Sequence, residues 1–162
     1  MKIVSDSSPL IFLSKIDKLS LLEKHALLIP EEVYAEIKKG RDTEKEDYVK
    51  IEGYVKIGKI KVLHTSPLQD IPFTIGKGEN EAVALALQTH ADIILIDDKK
   101  GWKLAKLNKL NPKGTLAVLI EEYKKGRASF QETKQAFEKL LRAGFHIPED
   151  KILSVLNELE KK

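Results

Sequence analysis

The segment Asp92-Ile93-Ile94-Leu95-Ile96, followed by Asp97-Asp98, constrains this chain more than any other. Successive side chains of a strand point to opposite faces, so an uninterrupted apolar run needs both faces covered, as in a parallel sheet between helical layers. Two acids then end the strand, at the edge where open α/β sheets bind ligands. The same alternation runs through the rest of the chain. Lys2 to Ser5 reads as a buried strand, Asp6-Ser7-Ser8-Pro9 breaks it, and a helix follows for which Pro9 suits the first turn and Ser7 or Ser8 the cap. Ala26 to Ile29 is a second strand, and Pro30-Glu31-Glu32 opens a helix with Val33 and Ile37 on one face, Glu36 beside them and Gly40 closing it. Thr43 to Lys59 reads as an outer amphipathic helix that Gly53 bends or interrupts, and Ile60 to Leu63 as a third strand. After a loop through Gly76-Lys77-Gly78, Glu79-Asn80-Glu81 heads the run Ala82 to Leu87, apolar on all sides and therefore a buried central helix.

Beyond the acidic pair, Lys99 to Leu110 is a lysine-rich helix with Trp102, Leu104, Ala105 and Leu107 available for packing, and Asn111-Pro112-Lys113-Gly114 is a loop. Helices over Thr115 to Lys125, Ser129 to Ala143 and Pro148 to Glu160 complete the chain. Alternating strands and helices predict βαβ crossovers and a three-layer α/β/α sandwich around a central parallel sheet. The expected organisation is one domain over residues 1–162, with an α/β core to about residue 125 and a helical extension after it.

Composition narrows the chemistry. With no cysteine, disulfides, thiol nucleophiles and thiolate-bound zinc are all excluded, and His25, His64, His90 and His146 lie too far apart in sequence to form a zinc motif. A metal site here is built from oxygen. The start, Met1-Lys2-Ile3-Val4-Ser5-Asp6, lacks the layout of a signal peptide, and no apolar run nears the roughly 20 residues of a membrane span, so a cytoplasmic location is expected. A net charge of +3 permits nucleic-acid binding without diagnosing it.

Acids stand where globular proteins usually avoid them: Asp6 after the first strand, Glu36 beside an apolar stripe, Glu79 and Glu81 heading a buried helix, and Asp97-Asp98 after a buried strand. Gathered at one edge, they would repel one another and raise their pKa values unless a cation were bound. Mg²⁺ or Mn²⁺ is the natural occupant of such a cluster, able to activate water and stabilise charge on a phosphodiester. Each acid also has an ordinary explanation. Asp6 and the Asp97-Asp98 pair sit where helix caps are found, Glu79 and Glu81 suit the positive end of a helix dipole, and Glu36 suits a solvated helix face. The conjunction is more specific than any member.

Asp6-Ser7-Ser8-Pro9-Leu10-Ile11, Gly78-Glu79-Asn80-Glu81-Ala82 and Leu95-Ile96-Asp97-Asp98 with Gly114-Thr115-Leu116 resemble, in this order, a PIN-domain subgroup common in archaea and bacteria. The resemblance extends to about Ile152 and implies similarity to VapC-like toxins, single-strand-directed endoribonucleases often encoded beside a small antitoxin protein and often homodimeric. It implies Asp6, Glu36, Glu81, Asp97 and Asp98 as catalytic acids, with Asp6, Glu81 and Asp97 holding the metal. Glu79 supplements or replaces Glu81, since residues two apart on a helix point roughly 200° apart, and which member of Asp97-Asp98 faces inward stays open. Ser7 and Thr115 resemble groups that orient carboxylates or waters. Lys99, Lys100 and Lys103 are candidate contacts to RNA, single-stranded or structured, or an ordinary solvated face. The chain departs from the pattern at Trp102, where the subgroup often has a basic residue; the indole is expected in the core or an interface rather than as a base-stacking platform.

Two other functions compete. An acidic pair after a strand also occurs in response-regulator receiver domains, but there it closes the first strand, whereas here it closes about the fourth. The stronger alternative is a catalytically idle PIN-like binding or scaffold protein whose acids serve as caps.

Overall fold

The computed structural model describes residues 1–39 and 44–161. The expected helix end at Gly40 and helix start at Thr43 lie outside the described residues. The five strands found there are β1 (Lys2–Ser5), β2 (Ala26–Pro30), β3 (Ile60–Leu63), β4 (Ile93–Leu95) and β5 (Pro112–Lys113). They form one parallel sheet in the order β3-β2-β1-β4-β5. Between them run α1 (Ser7–Lys15), a short 3₁₀ turn (Leu19–Leu22), α2 (Glu31–Lys39), α3 (Lys45–Lys56), α4 (Lys77–Thr89) and α5 (Lys99–Leu107). Helices α6 (Thr115–Lys124), α7 (Phe130–Arg142) and α8 (Glu149–Glu160) follow.

Ile93, Ile94, Leu95 and Ile96 are all buried, so helices cover both faces of the sheet and the fold is the α/β sandwich that the apolar run predicts. Helix α4 packs against β1, β2 and β4 and against α2 and α5, which explains why it is apolar nearly all round. Its C-terminus closes at His90, in the left-handed conformation (φ 53°).

Two local expectations change. Gly53 does not interrupt its helix: α3 runs through it, anchored by a reciprocal cap between Glu44 and Asp47. The predicted loop at Pro112-Lys113 is β5, a two-residue edge strand paired with Ile94 and Leu95. Proline is tolerated there because an edge strand leaves one side of its backbone unpaired.

Packing divides the chain into two compact units, Met1–Thr115 and Leu116–Lys162. The first holds the sheet. In the second, α7 has a reciprocal Ser129–Glu132 cap and buries Thr133, Ala136, Phe137 and Leu140, and the Tyr123 hydroxyl donates to the Leu159 carbonyl at 2.9 Å. Among the described residues no helix is long and apolar enough to cross a membrane.

Candidate metal centre

From β1 the chain builds outward through β2 and β3 on one side, then returns to add β4 and β5 on the other, so strand order reverses between β1 and β4. Asp6 and Asp97 lie just past the carboxyl ends of these two neighbours. Ser5 pairs with Leu95, and the Asp6 amide donates to the Leu95 carbonyl at 2.9 Å. The crevice at such a reversal is where sheets of this kind bind ligands.

Asp97 is held by three donors. The Ser8 hydroxyl donates to Oδ2 at 2.9 Å, the Thr115 hydroxyl to the same oxygen at 2.7 Å, and the Thr115 amide to Oδ1 at 2.7 Å. A Cβ on Gly114 would stand 3.0 Å from Oδ1, so the small residue lets the backbone come this close. Glu36 projects from α2 and accepts from the Ser7 hydroxyl at 3.3 Å. Opposite it lies Gly78 in the first turn of α4, where a Cβ would lie only 2.6 Å from the Glu36 carboxyl carbon. Glu79 comes next on α4, and its side chain passes Gly101 of α5, where a Cβ would sit 3.3 Å from Glu79 Cγ.

Asp6 is the most buried of these acids, 3% exposed. Its Oδ1 has no hydrogen-bond partner among the described residues, and its side chain does not cap α1. Burial raises its pKa to about 8; the negative charge of Glu79 adds to this, the Ser7 amide opposes it, and Glu36 and Asp97 raise it further. Burial likewise raises the Glu36 pKa, with Glu79 reinforcing it and the Ser7 hydroxyl opposing. Asp6, Glu36, Glu79 and Asp97 therefore share one electrostatic neighbourhood.

Glu81 is not part of it. Burial raises the pKa of its carboxylate, Lys77 and His64 lower it, and Glu32 and Glu31 raise it. The expected role of Glu81 beside Asp6 thus meets a helix turned the other way, with Glu79 inward, as the roughly 200° between them requires. Asp98 is also directed away: it is the N-cap of α5 and accepts from the Gly101 amide at 3.0 Å. Of the two places expected for Trp102, a core or an interface, its 37% exposure removes the core. Lys99, Lys100 and Lys103 are exposed, and the Lys103 ammonium lies 5.0 Å over the Phe73 ring.

Sequence reasoning missed Ser8, the partner of Asp97, and the glycines at 78 and 114 that admit the close approaches. The signal for Ser8 was its place directly beside Ser7 at the head of α1. Among the described residues no three His, Cys, Asp or Glu side chains are grouped closely enough to hold a metal ion as they stand. The donor set is nonetheless all carboxylate, and the buried, unpartnered Asp6 oxygen is what a hard divalent cation would satisfy, so the chemistry of these residues suits such an ion.

A family model described as a PIN domain matches residues 2–161. No curated protein matches. Among solved structures, the chain is similar to a PilT N-terminus domain protein from the hyperthermophilic archaeon Sulfolobus solfataricus, with 17% identity, a TM-score of 0.52, and 75% of this chain and 92% of that one covered. It is also similar to a domain of a functionally unknown protein from Methanocaldococcus jannaschii, with 20% identity, a TM-score of 0.48, and 70% and 89% covered.

Proposed function

The chain belongs to the PIN-domain family, whose members are generally nucleases that use divalent metal ions, and from that premise we propose a metal-dependent, single-strand-directed endoribonuclease. The observation that carries this reading is Asp6: a buried carboxylate with an unpartnered oxygen, crowded by Glu79, Glu36 and Asp97. Without metal a proton on Asp6 offsets this crowding below about pH 8, and a bound cation would take its place.

In this reading Asp6, Glu36, Glu79 and Asp97 hold Mg²⁺ or Mn²⁺. The bound ion supplies Lewis acidity toward a phosphodiester oxygen and a more acidic water. Ser8 and Thr115 fix the Asp97 carboxylate in one orientation, and Ser7 does the same for Glu36. The burial of Asp6 keeps bulk water from screening the charges around it.

The test is cleavage of a mixed single-stranded RNA pool in Mn²⁺, Mg²⁺ or EDTA, beside Asp6→Asn and Asp97→Asn. Metal-dependent cutting lost in both variants is expected. A folded protein that neither cuts RNA nor binds Mn²⁺ would sink the proposal and leave a scaffold. We extend the proposal to the toxin of a toxin–antitoxin pair, acting as a homodimer. Growth arrest on expression, relieved by a small partner protein, is the expected result.

A further inference from the structure

Helix α5 starts at the acid site and carries the chain's exposed tryptophan. On a helical projection Gly101, Leu104 and Ala105 form the buried face, and Trp102, Lys99, Lys103, Lys106, Leu107 and Lys100 fan across the opposite one. Trp102 is 37% exposed and Leu107 58%. None of these lysines forms an ion pair among the described residues; Lys103 instead lies over Phe73, in the loop that leads to α4. An apolar ring stands among these positive charges, on a helix whose first residue, Lys99, directly follows Asp97 and Asp98.

We infer that the solvent face of α5 is the track along which single-stranded RNA approaches the acids, with Trp102 as its base-stacking platform. The inference rests on the nuclease reading of the neighbouring site. Charge complementarity names the occupant: phosphates meet the row of lysines while an unpaired base covers the indole. A duplex keeps its bases inside the helix and offers the indole nothing to stack on. The Lys103–Phe73 contact fixes one wall of the track by tying the loop before α4 to α5.

Trp102 is the sole tryptophan, so its emission reports on the track directly. The experiment titrates the full chain in EDTA, where it does not cut, with a short uridine-rich single-stranded RNA and with its duplex. A labelled strand follows affinity by anisotropy. Saturable quenching by the single strand and far weaker quenching by the duplex are expected. Trp102→Ala should weaken single-strand binding about tenfold while Trp102→Phe retains most of it. Lys99→Ala and Lys106→Ala should each reduce the salt dependence of binding by about 0.7 in slope. Unchanged emission at saturating RNA, or wild-type affinity in Trp102→Ala, would overturn the inference. So would emission that follows protein concentration and ignores RNA, which would assign this face to a second copy of the chain. Because the binding measurements need no cleavage, the two proposals fail separately. RNA bound through Trp102 by a protein that never cuts leaves the track and removes the nuclease; metal-dependent cutting with a KM indifferent to Trp102→Ala does the reverse.

Discussion

Burial of Asp6 among other acids makes its ionisation unfavourable in the fold, and the effect on stability has a definite sign. The folded pKa, about 8, exceeds the ordinary 3.8, so between these values the folded protein keeps a proton that the unfolded chain has released. Stability from this group is full below about pH 4, falls as pH rises, and is lost above about pH 8. Asp6→Asn should therefore raise the Tm of the metal-free protein above pH 8 by at least about 3 °C, with no gain below pH 4, as differential scanning calorimetry in EDTA would check. The same substitution should abolish Mn²⁺ binding, so stability and function move in opposite directions. Glu79 and Glu81 provide a second contrast. Glu79→Gln should reduce metal-dependent cleavage by about 100-fold, whereas Glu81→Gln should change it by no more than about threefold. Equal losses in both would remove the inward assignment of Glu79.

At the scale of elements, two glycines inside helices separate conformation from contact. Gly53 has open space around it, so Gly53→Ala should stabilise the protein by roughly 0.5–1 kcal/mol and leave cleavage unchanged. Gly78→Ala gains similar helix propensity but drives a methyl into the Glu36 carboxylate, so cleavage should fall about tenfold or more without a matching loss of Tm. If Gly78→Ala cleaves normally, Glu36 is not needed where the structure holds it. Asp98→Ala should cost about 1 kcal/mol of stability through loss of the α5 cap, seen in urea melts. The positions of the elements were readable in sequence because apolar runs and punctuation mark them: β1, β2, β3 and α4 fall where the pattern places them. The rotation of α4 was not. A helix buried on all sides has no amphipathic stripe, so nothing in residues 79 to 87 says whether Glu79 or Glu81 turns inward; only its packing against α2 and α5 decides. Strand β5 escaped for a different reason, since two residues with a proline give no periodicity to read.

For the whole molecule, the useful variable is the free energy that a ligand adds. A divalent ion binding only the folded state at 100 times its Kd should stabilise it by about 2.7 kcal/mol, and a Tm series in Mn²⁺ at pH 8 should show this gain in the wild type and lose it in Asp6→Asn. The parallel sheet itself was legible from Ile93 to Ile96, and with it the crevice that brings Asp6 and Asp97 together. What sequence could not supply was the clamp on Asp97, because Ser8 and Thr115 come from opposite ends of the sheet-bearing unit. That clamp also fixes when the site comes into being. Ser8 and Asp97 are 89 positions apart and Thr115 comes later still, so a growing chain on the ribosome carries Asp6 and Ser8 long before it has Asp97 to set against them. The clamp needs β4 beside β1, since Ser8 follows one strand and Asp97 the other. On the proposed nuclease reading, a copy that ends before Thr115 lacks the clamp on Asp97 and should not cut RNA.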